Sequence, residues 1–463
     1  MTASLTSSLT SLTSLASDRP ATAPASLPSS SAVPLEPIGW VLAAPLFVTH
    51  EWVGLLVAAA AITRLISLGA EGWLMLYLAG QPIVHSGLLA AELDLPVLAV
   101  TGLLTNALCI GYWATHRKSP QQLLTLLAFL AVFALAAASM VGTSNELTQP
   151  LRQRIQLFLS QGTAAILLLS IFLRASPRLP RLTVGAAIVV CGVAAGMLLT
   201  GARLFSRMHD TPLIDWGRAS AISTLVFLVA ATFSKRWRSA AYFGLAGLAA
   251  ILSVSQLLRQ SAYAAILSVA VCAVAFRHVR SFHMTRLLVV LATAAASVAV
   301  LQGDLLEDKL GRFLGRGDGA AVSNAARDSV AELATDMIAE QPITGAGFGG
   351  FSAELGYDYY PHNMVLEILC EFGVIGLLAG LVPVAIGYRL CPRTVRSASA
   401  DGEIALAAVL LFWGLVSQAS YSIPHSCACF PGLLVGLIAW QRTRPPRPSR
   451  PPAPQRVEPF VAY

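Results

Sequence analysis

Charge is scarce in this chain: Asp, Glu, Lys and Arg together make up 12% of its 463 residues, against 56% for the apolar types. A soluble domain needs polar and charged side chains to cover its surface, so a composition this poor in charge argues against one. CxxC spacing is also missing. The seven cysteines fall mostly inside apolar runs (Cys109, Cys191, Cys272, Cys370), and Cys427 and Cys429 are too close together for an ordinary bridge. That pattern predicts buried free thiols, with no disulfide framework and no metal site. The glycine-rich run Gly345–Ala346–Gly347–Phe348–Gly349–Gly350 lacks the Lys and Ser/Thr of a nucleotide-binding loop. Its plainer use is to bend the backbone tightly beside a ligand or another helix. Residues 1–35 have no basic segment leading straight into an apolar one, so they do not read as a signal peptide. Their Ser/Thr/Ala/Pro composition predicts a disordered tail.

What the chain has in abundance is apolar sequence in runs of bilayer length. About 20 such residues span the hydrocarbon core, and a spanning backbone rich in Leu and Ala must satisfy its own polar groups as a helix. Candidate spans are 38–62, 71–90, 95–114, 121–141, 155–173, 182–201, 214–233, 239–257, 262–276, 286–301, 364–388, 404–419 and 424–440. The stretch 38–68 is interrupted by His50–Glu51 and reads either as one tilted helix or as a hairpin. The fold class is all-α, a polytopic bundle of about 12 to 14 transmembrane helices. Residues 36–301 form its first part and 363–440 its last. The net charge of +7 does not point to nucleic acid, because the basic residues cluster in short loops. Arg174–Arg178–Arg181, Lys235–Arg236–Arg238 and Arg277–Arg280–Arg286 mark cytoplasmic loops. The Pro/Arg-rich tail 441–463 is expected on the same side.

The long hydrophilic insertion, 302–362, then falls on the opposite, periplasmic face. It is rich in acid and contains one predicted helix, Val322 to Glu340. Val330, Ala334, Met337 and Ile338 repeat there at helical spacing, Ser323 or Asn324 is the expected cap, and Pro342 ends it. Arginines accumulate on this face against the positive-inside rule: Arg152, Arg154, Arg203, Arg207, Arg218, Arg259, Arg312, Arg316 and Arg327. A guanidinium offers a planar fork of donors that matches phosphate oxygens. The alternative is that these arginines pair with the acidic loop or with headgroups. Pro361–His362–Asn363 precedes an apolar span, with Asn363 as an expected N-cap and His362 at the positive end of a helix dipole. Taken alone, a histidine there reads more readily as a capping or packing residue at a membrane interface. Glu367 and Glu371 lie one turn apart in the same span, where carboxylates demand partners. Pairing with arginines is the expectation.

Taken in order, these residues resemble the signature of the O-antigen ligase and polymerase family of bacterial membrane glycosyltransferases. The resemblance rests on Arg327, Pro342-Ile-Thr-Gly345-Ala-Gly347 with Phe351, His362-Asn363, Leu366-Glu367 and Glu371-Phe-Gly373-Val-Ile-Gly376. Weaker echoes are Gly201-Ala-Arg203, Ile214-Asp-Trp-Gly217 and Arg259. The chain departs from the pattern at Ala331, where an aromatic is common, and around Arg259. The resemblance implies an inverting, metal-independent transferase of the inner membrane with no cofactor. Its donor would be a polyprenyl-pyrophosphate-linked glycan and its acceptor another glycan or a lipid A-core sugar, with other polysaccharide-assembly proteins as neighbours. It implies His362 and Arg327 as catalytic residues. Arg203, Arg218, Arg259 and Arg327 would bind pyrophosphate, with Asn363, Glu367, Gly345 and Gly347 in support. His362 is either a general base or a phosphate ligand. A transporter or flippase of envelope glycolipids is the competing class, and the lack of an internal repeat counts against it.

Overall fold

The computed structural model describes residues 97–116, 119–142, 149–172, 179–199, 210–234, 236–255, 259–276, 318–355, 360–390, 400–420 and 429–443, together with Leu56, Ala59, Ala60 and Thr63. Among them the elements are helices alone, and they follow the apolar runs closely. In chain order they are α1 (Val97–Thr115), α2 (Pro120–Gly142), α3 (Gln149–Phe172), α4 (Leu179–Leu199), α5 (Asp210–Phe233) and α6 (Arg236–Ser255). There follow α7 (Arg259–Ala275), α8 (Asp318–Glu340), α9 (Gly350–Leu355), α10 (Met364–Leu390), α11 (Ala400–Ser420) and α12 (Cys429–Thr443). Among the described residues Pro120–Met140, Trp216–Phe233 and Met364–Leu390 are long and apolar enough to cross a bilayer, and shorter apolar stretches occupy α4, α7 and α11. The chain is an all-α helical membrane protein. The expected spans 71–90 and 286–301 lie outside the described residues, as does 38–62 apart from Leu56, Ala59 and Ala60.

Local chemistry sets the helix limits. Ser119 Oγ accepts from the N–H of Gln122 at 3.2 Å, and the Gln122 side chain accepts from Ser119 N–H at 3.1 Å. This reciprocal cap, with Pro120 at the first helical position, starts α2. The short connection between α5 and α6 is tied by Ser239 Oγ donating to Ala231 O at 2.7 Å. One expectation needs correcting. The helix of the long insertion begins at Asp318, so Ser323 and Asn324 lie inside it rather than at its start. The intervening Gly319–Ala320–Ala321–Val322 contains no helix stop, and an acidic residue at the start suits the helix dipole.

Burial separates the core from the periphery. The apolar window of α5 is 89% buried, against 22% for α2 and 33% for α10. So α5 is the central helix, with Trp216 and Phe227 wholly enclosed, while Leu103, Leu135, Leu378 and Val382 face outward. In lipid, helices associate by close van der Waals packing rather than by expelling water, which favours small residues at contacts. Gly380 lies against the Phe430 ring, and Gly387 fits between Leu434 and Thr125. These contacts bring α2, α10 and α12 together.

Candidate functional site

The site grows from two irregularities that turn out to be one. After α8, the turn from Pro342 to Gly349 holds positive φ at Gly345 (69°), Gly347 (85°) and Gly349 (80°). Independently, α10 is broken at Gly373, whose φ of 62° and ψ of −164° are not helical. A break inside an apolar helix strands carbonyls and amides that hydrocarbon cannot satisfy. The turn satisfies them. Ala346 N–H donates to Cys370 O at 2.7 Å and Gly347 N–H to Glu371 O at 3.0 Å. In return Val374 N–H donates to Pro342 O at 2.9 Å and Ile375 N–H to Ile343 O at 3.2 Å. The glycines thus bend the backbone beside another helix, one of the two uses expected of them. With these amides engaged on α10, they are not a cradle for phosphate.

A buried charge cluster sits on the same joint. Arg154, near the start of α3, pairs with Glu367 and approaches Glu371 Oε1 at 3.4 Å. Its other terminal nitrogen is 3.5 Å from Ser352 Oγ, and its guanidinium lies 5.0 Å from the centre of the Phe348 ring. Glu371 Oε1 also accepts from Gly349 N–H at 3.1 Å. Relative exposure is 7% for Arg154, 0% for Glu367 and 1% for Glu371, so the cluster is sealed. Glu367 and Glu371 therefore do pair with an arginine, as expected. Arg154 was legible only as one of several misplaced arginines, and its role in this cluster was missed. The two glutamates at one-turn spacing were the signal that a buried cation had to be near.

His362 is the residue before the cap of α10. Asn363 Oδ1 accepts from the N–H groups of Val365 (3.0 Å) and Leu366 (3.1 Å), so Asn363 is the N-cap. His362 has a φ of 53°, a left-handed conformation and the one such non-glycine residue among those described. Its ring is half-buried and 4.4 Å from that of Tyr360. Asn363→Ala is expected to cost about 1 kcal/mol, the usual worth of such a cap. A thermal melt of the purified protein checks this, and an unchanged midpoint would count against the cap.

The arginines divide. Arg327 is exposed on α8, one turn before Val330 on the stripe that packs Val330, Ala334 and Met337 against Phe351 and Cys370. Cys370 Sγ donates to Ala334 O at 3.2 Å, and Val374 meets Pro342, so α8 and the start of α10 run in the same direction. Arg327, seven residues before Ala334, lies toward the end of α10 at which His362 stands. Arg218 is buried at 5% exposure on α5, a helix that reaches α10 chiefly through α11. Arg259 is the first residue of α7, with its side chain outside the description, and Arg203 lies outside the described residues.

Beside the joint runs an apolar groove. A cavity of about 320 Å³ is lined by Phe133, Phe158, Met364, Ile368, Phe372 and Pro383 among others. Its lining on α10 runs from Met364, past the break at Gly373, to Pro383. It begins two residues from His362.

Together these features define a helical membrane protein whose conspicuous site is a loop stitched into a broken helix. Residues 217–381 match the family model described as O-antigen ligase. That match covers less than half of the chain and supports an O-antigen ligase family assignment, which implies a ligase-like or polymerase-like membrane glycosyltransferase. No curated protein and no solved structure was found to match it.

Proposed function

We propose that this chain moves a glycan from a polyprenyl-pyrophosphate carrier to an acceptor hydroxyl on the periplasmic side of the bacterial inner membrane. The observation that carries the reading is His362, held in a left-handed conformation at the head of α10 beside an apolar groove lined by that helix from Met364 to Pro383. Residues in sparsely populated backbone regions gather at functional sites, where surrounding structure holds them in place. The groove gives the carrier chain a course that leaves its pyrophosphate near His362.

In the proposed reaction the acceptor oxygen attacks the anomeric carbon and its bond to the pyrophosphate breaks. Attack from the face opposite the leaving group inverts that carbon. The hydroxyl proton passes to His362, acting as general base. Polyprenyl pyrophosphate departs with the bonding electron pair. Arg327, with Arg203, Arg218 and Arg259, offsets the growing negative charge, so no cofactor is called for. Glu367 and Asn363 support His362 from α10, and Gly345 and Gly347 hold the loop. The segment 302–362 is the periplasmic loop on this reading, and the C-terminal tail is cytoplasmic. The acceptor is a lipid A-core sugar for a ligase or a second lipid-linked glycan for a polymerase.

The test is deletion of the gene in its native host, with surface polysaccharide, lipopolysaccharide and lipid-linked intermediates profiled together. The expected result is loss of polymer and accumulation of lipid-linked glycan, restored by the wild type but not by His362→Ala or Arg327→Ala. A stalled single repeat identifies a polymerase and a stalled long chain a ligase. Unchanged glycans in the deletion strain, with no second copy of the gene, would return the transporter to first place.

A further inference from the structure

We infer that Arg154 is a positioning residue for the proposed transfer, acting through Glu367 and Glu371 on the setting of His362. The inference rests on the transferase reading above. Arg154 lies outside the matched stretch 217–381 and belongs to a different helix, yet its guanidinium meets both flanks of His362. On the loop side it reaches Ser352 Oγ and the Phe348 ring. On the helix side it reaches Glu367 and Glu371, in the first turns of the helix that follows His362. Glu371 closes the circuit by accepting from Gly349 N–H on the loop. One cation therefore holds the loop, the head of α10 and α3 as a single unit.

The chemistry favours clamping over direct substrate binding. A guanidinium enclosed with two carboxylates, each at or below 1% exposure, has its donors directed at them rather than at a phosphate. Its fork geometry also matters, because one terminal nitrogen serves the carboxylates while the other faces Ser352. Lysine keeps the charge but loses the fork.

The experiment uses full-length protein in lipid nanodiscs with a polyprenyl-pyrophosphate-linked glycan and its acceptor. Arg154→Lys, Arg154→Gln and the pair Arg154→Gln/Glu367→Gln are compared with wild type. A misplacement of the order of 1 Å lowers the rate about a hundredfold. The expected result for Arg154→Gln is a fall of that size in kcat, with the donor KM within about twofold. Arg154→Lys should be intermediate, and the double variant should recover part of the loss, since it removes an uncompensated buried charge. A raised donor KM at unchanged kcat would make Arg154 a donor ligand and overturn the inference, as would wild-type kinetics.

Ser352→Ala and Phe348→Leu remove single contacts of the clamp without leaving a carboxylate unpaired, so they keep the test open if Arg154→Gln fails to fold. Each should lower kcat severalfold, and unchanged kcat in both overturns the clamp. Hydrogen exchange supplies a readout independent of activity. Ala346, Gly347 and Gly349 amides should exchange faster in Arg154→Lys than in wild type, and equal rates would sink the proposal. Wild-type protein that transfers nothing from such a donor defeats the transferase reading instead, and the exchange rates then decide the clamp alone.

Discussion

Gly373→Ala is expected to yield little folded protein, although it adds a single methyl group within an apolar helix. Two costs coincide at this position. The φ of 62° with ψ of −164° belongs to a region open essentially to glycine, and holding another residue there costs about 1–3 kcal/mol. The new Cβ would also lie 2.2 Å from the carbonyl oxygen of Ile343, which is backbone and has no rotamer to adopt. Crowding of that kind costs a further 1–3 kcal/mol or so. Relief by moving the loop would part the four backbone hydrogen bonds that join Pro342–Gly347 to α10. The sum, on the order of 4 kcal/mol, is a large share of the roughly 5–15 kcal/mol that typically holds a domain together. Gly414→Ala is the matched control, since a Cβ there meets no heavy atom within 4 Å and alanine favours a helix by up to ~1 kcal/mol. Size-exclusion profiles and melts of the two variants decide the matter. A Gly373→Ala protein as monodisperse and heat-resistant as Gly414→Ala would mean that the loop does not hold the break.

The same joint shows where sequence reading reaches its limit. The apolar runs predict α1 to α7 and α10 to α12 to within about six residues, because a lipid-spanning backbone has one economical conformation. The largest miss is the start of α3, which begins at Gln149 and so takes in Arg154. Local motifs were equally plain. Asn363 before an apolar run reads as a cap, and Val330, Ala334 and Met337 read as the packed face of α8. Glu371–Phe372–Gly373 gave no warning of a break, since a glycine in a long apolar run is ordinary in a membrane helix. Its conformation is imposed by a loop more than twenty residues earlier. Arg154 was harder still, being 213 residues from Glu367, with nothing local to name its partner. The charged types announced that pairing was required, but not which arginine would supply it. Arg327, Arg218 and Arg259 looked like one set in the sequence. The structure distributes them over α8, α5 and α7, because similarity of residue type carries no information about helix neighbours.

His362→Gly is expected to separate stability from transfer. Glycine adopts a φ of 53° at no steric cost, so the melting temperature should stay level or rise slightly. His362→Ala keeps a Cβ in the left-handed region, as the histidine does, and should be about 1 kcal/mol less stable than His362→Gly. Transfer should fall in both variants by about 10²–10⁴-fold if the imidazole removes the acceptor proton. That divergence is what a residue retained for chemistry against local backbone preference would produce, and a packing histidine would not. His362→Asn then settles which chemistry. Asparagine tolerates the left-handed backbone and offers an N–H donor to a phosphate, but it has no basic nitrogen. If His362 holds phosphate, His362→Asn should keep much of the activity lost by His362→Gly. If His362 is the base, the two should be equally slow, and added imidazole should partly restore the glycine variant by entering the space the side chain vacates. Full activity in His362→Gly would remove His362 from the mechanism and leave its left-handed backbone as a feature of the loop-to-helix turn alone.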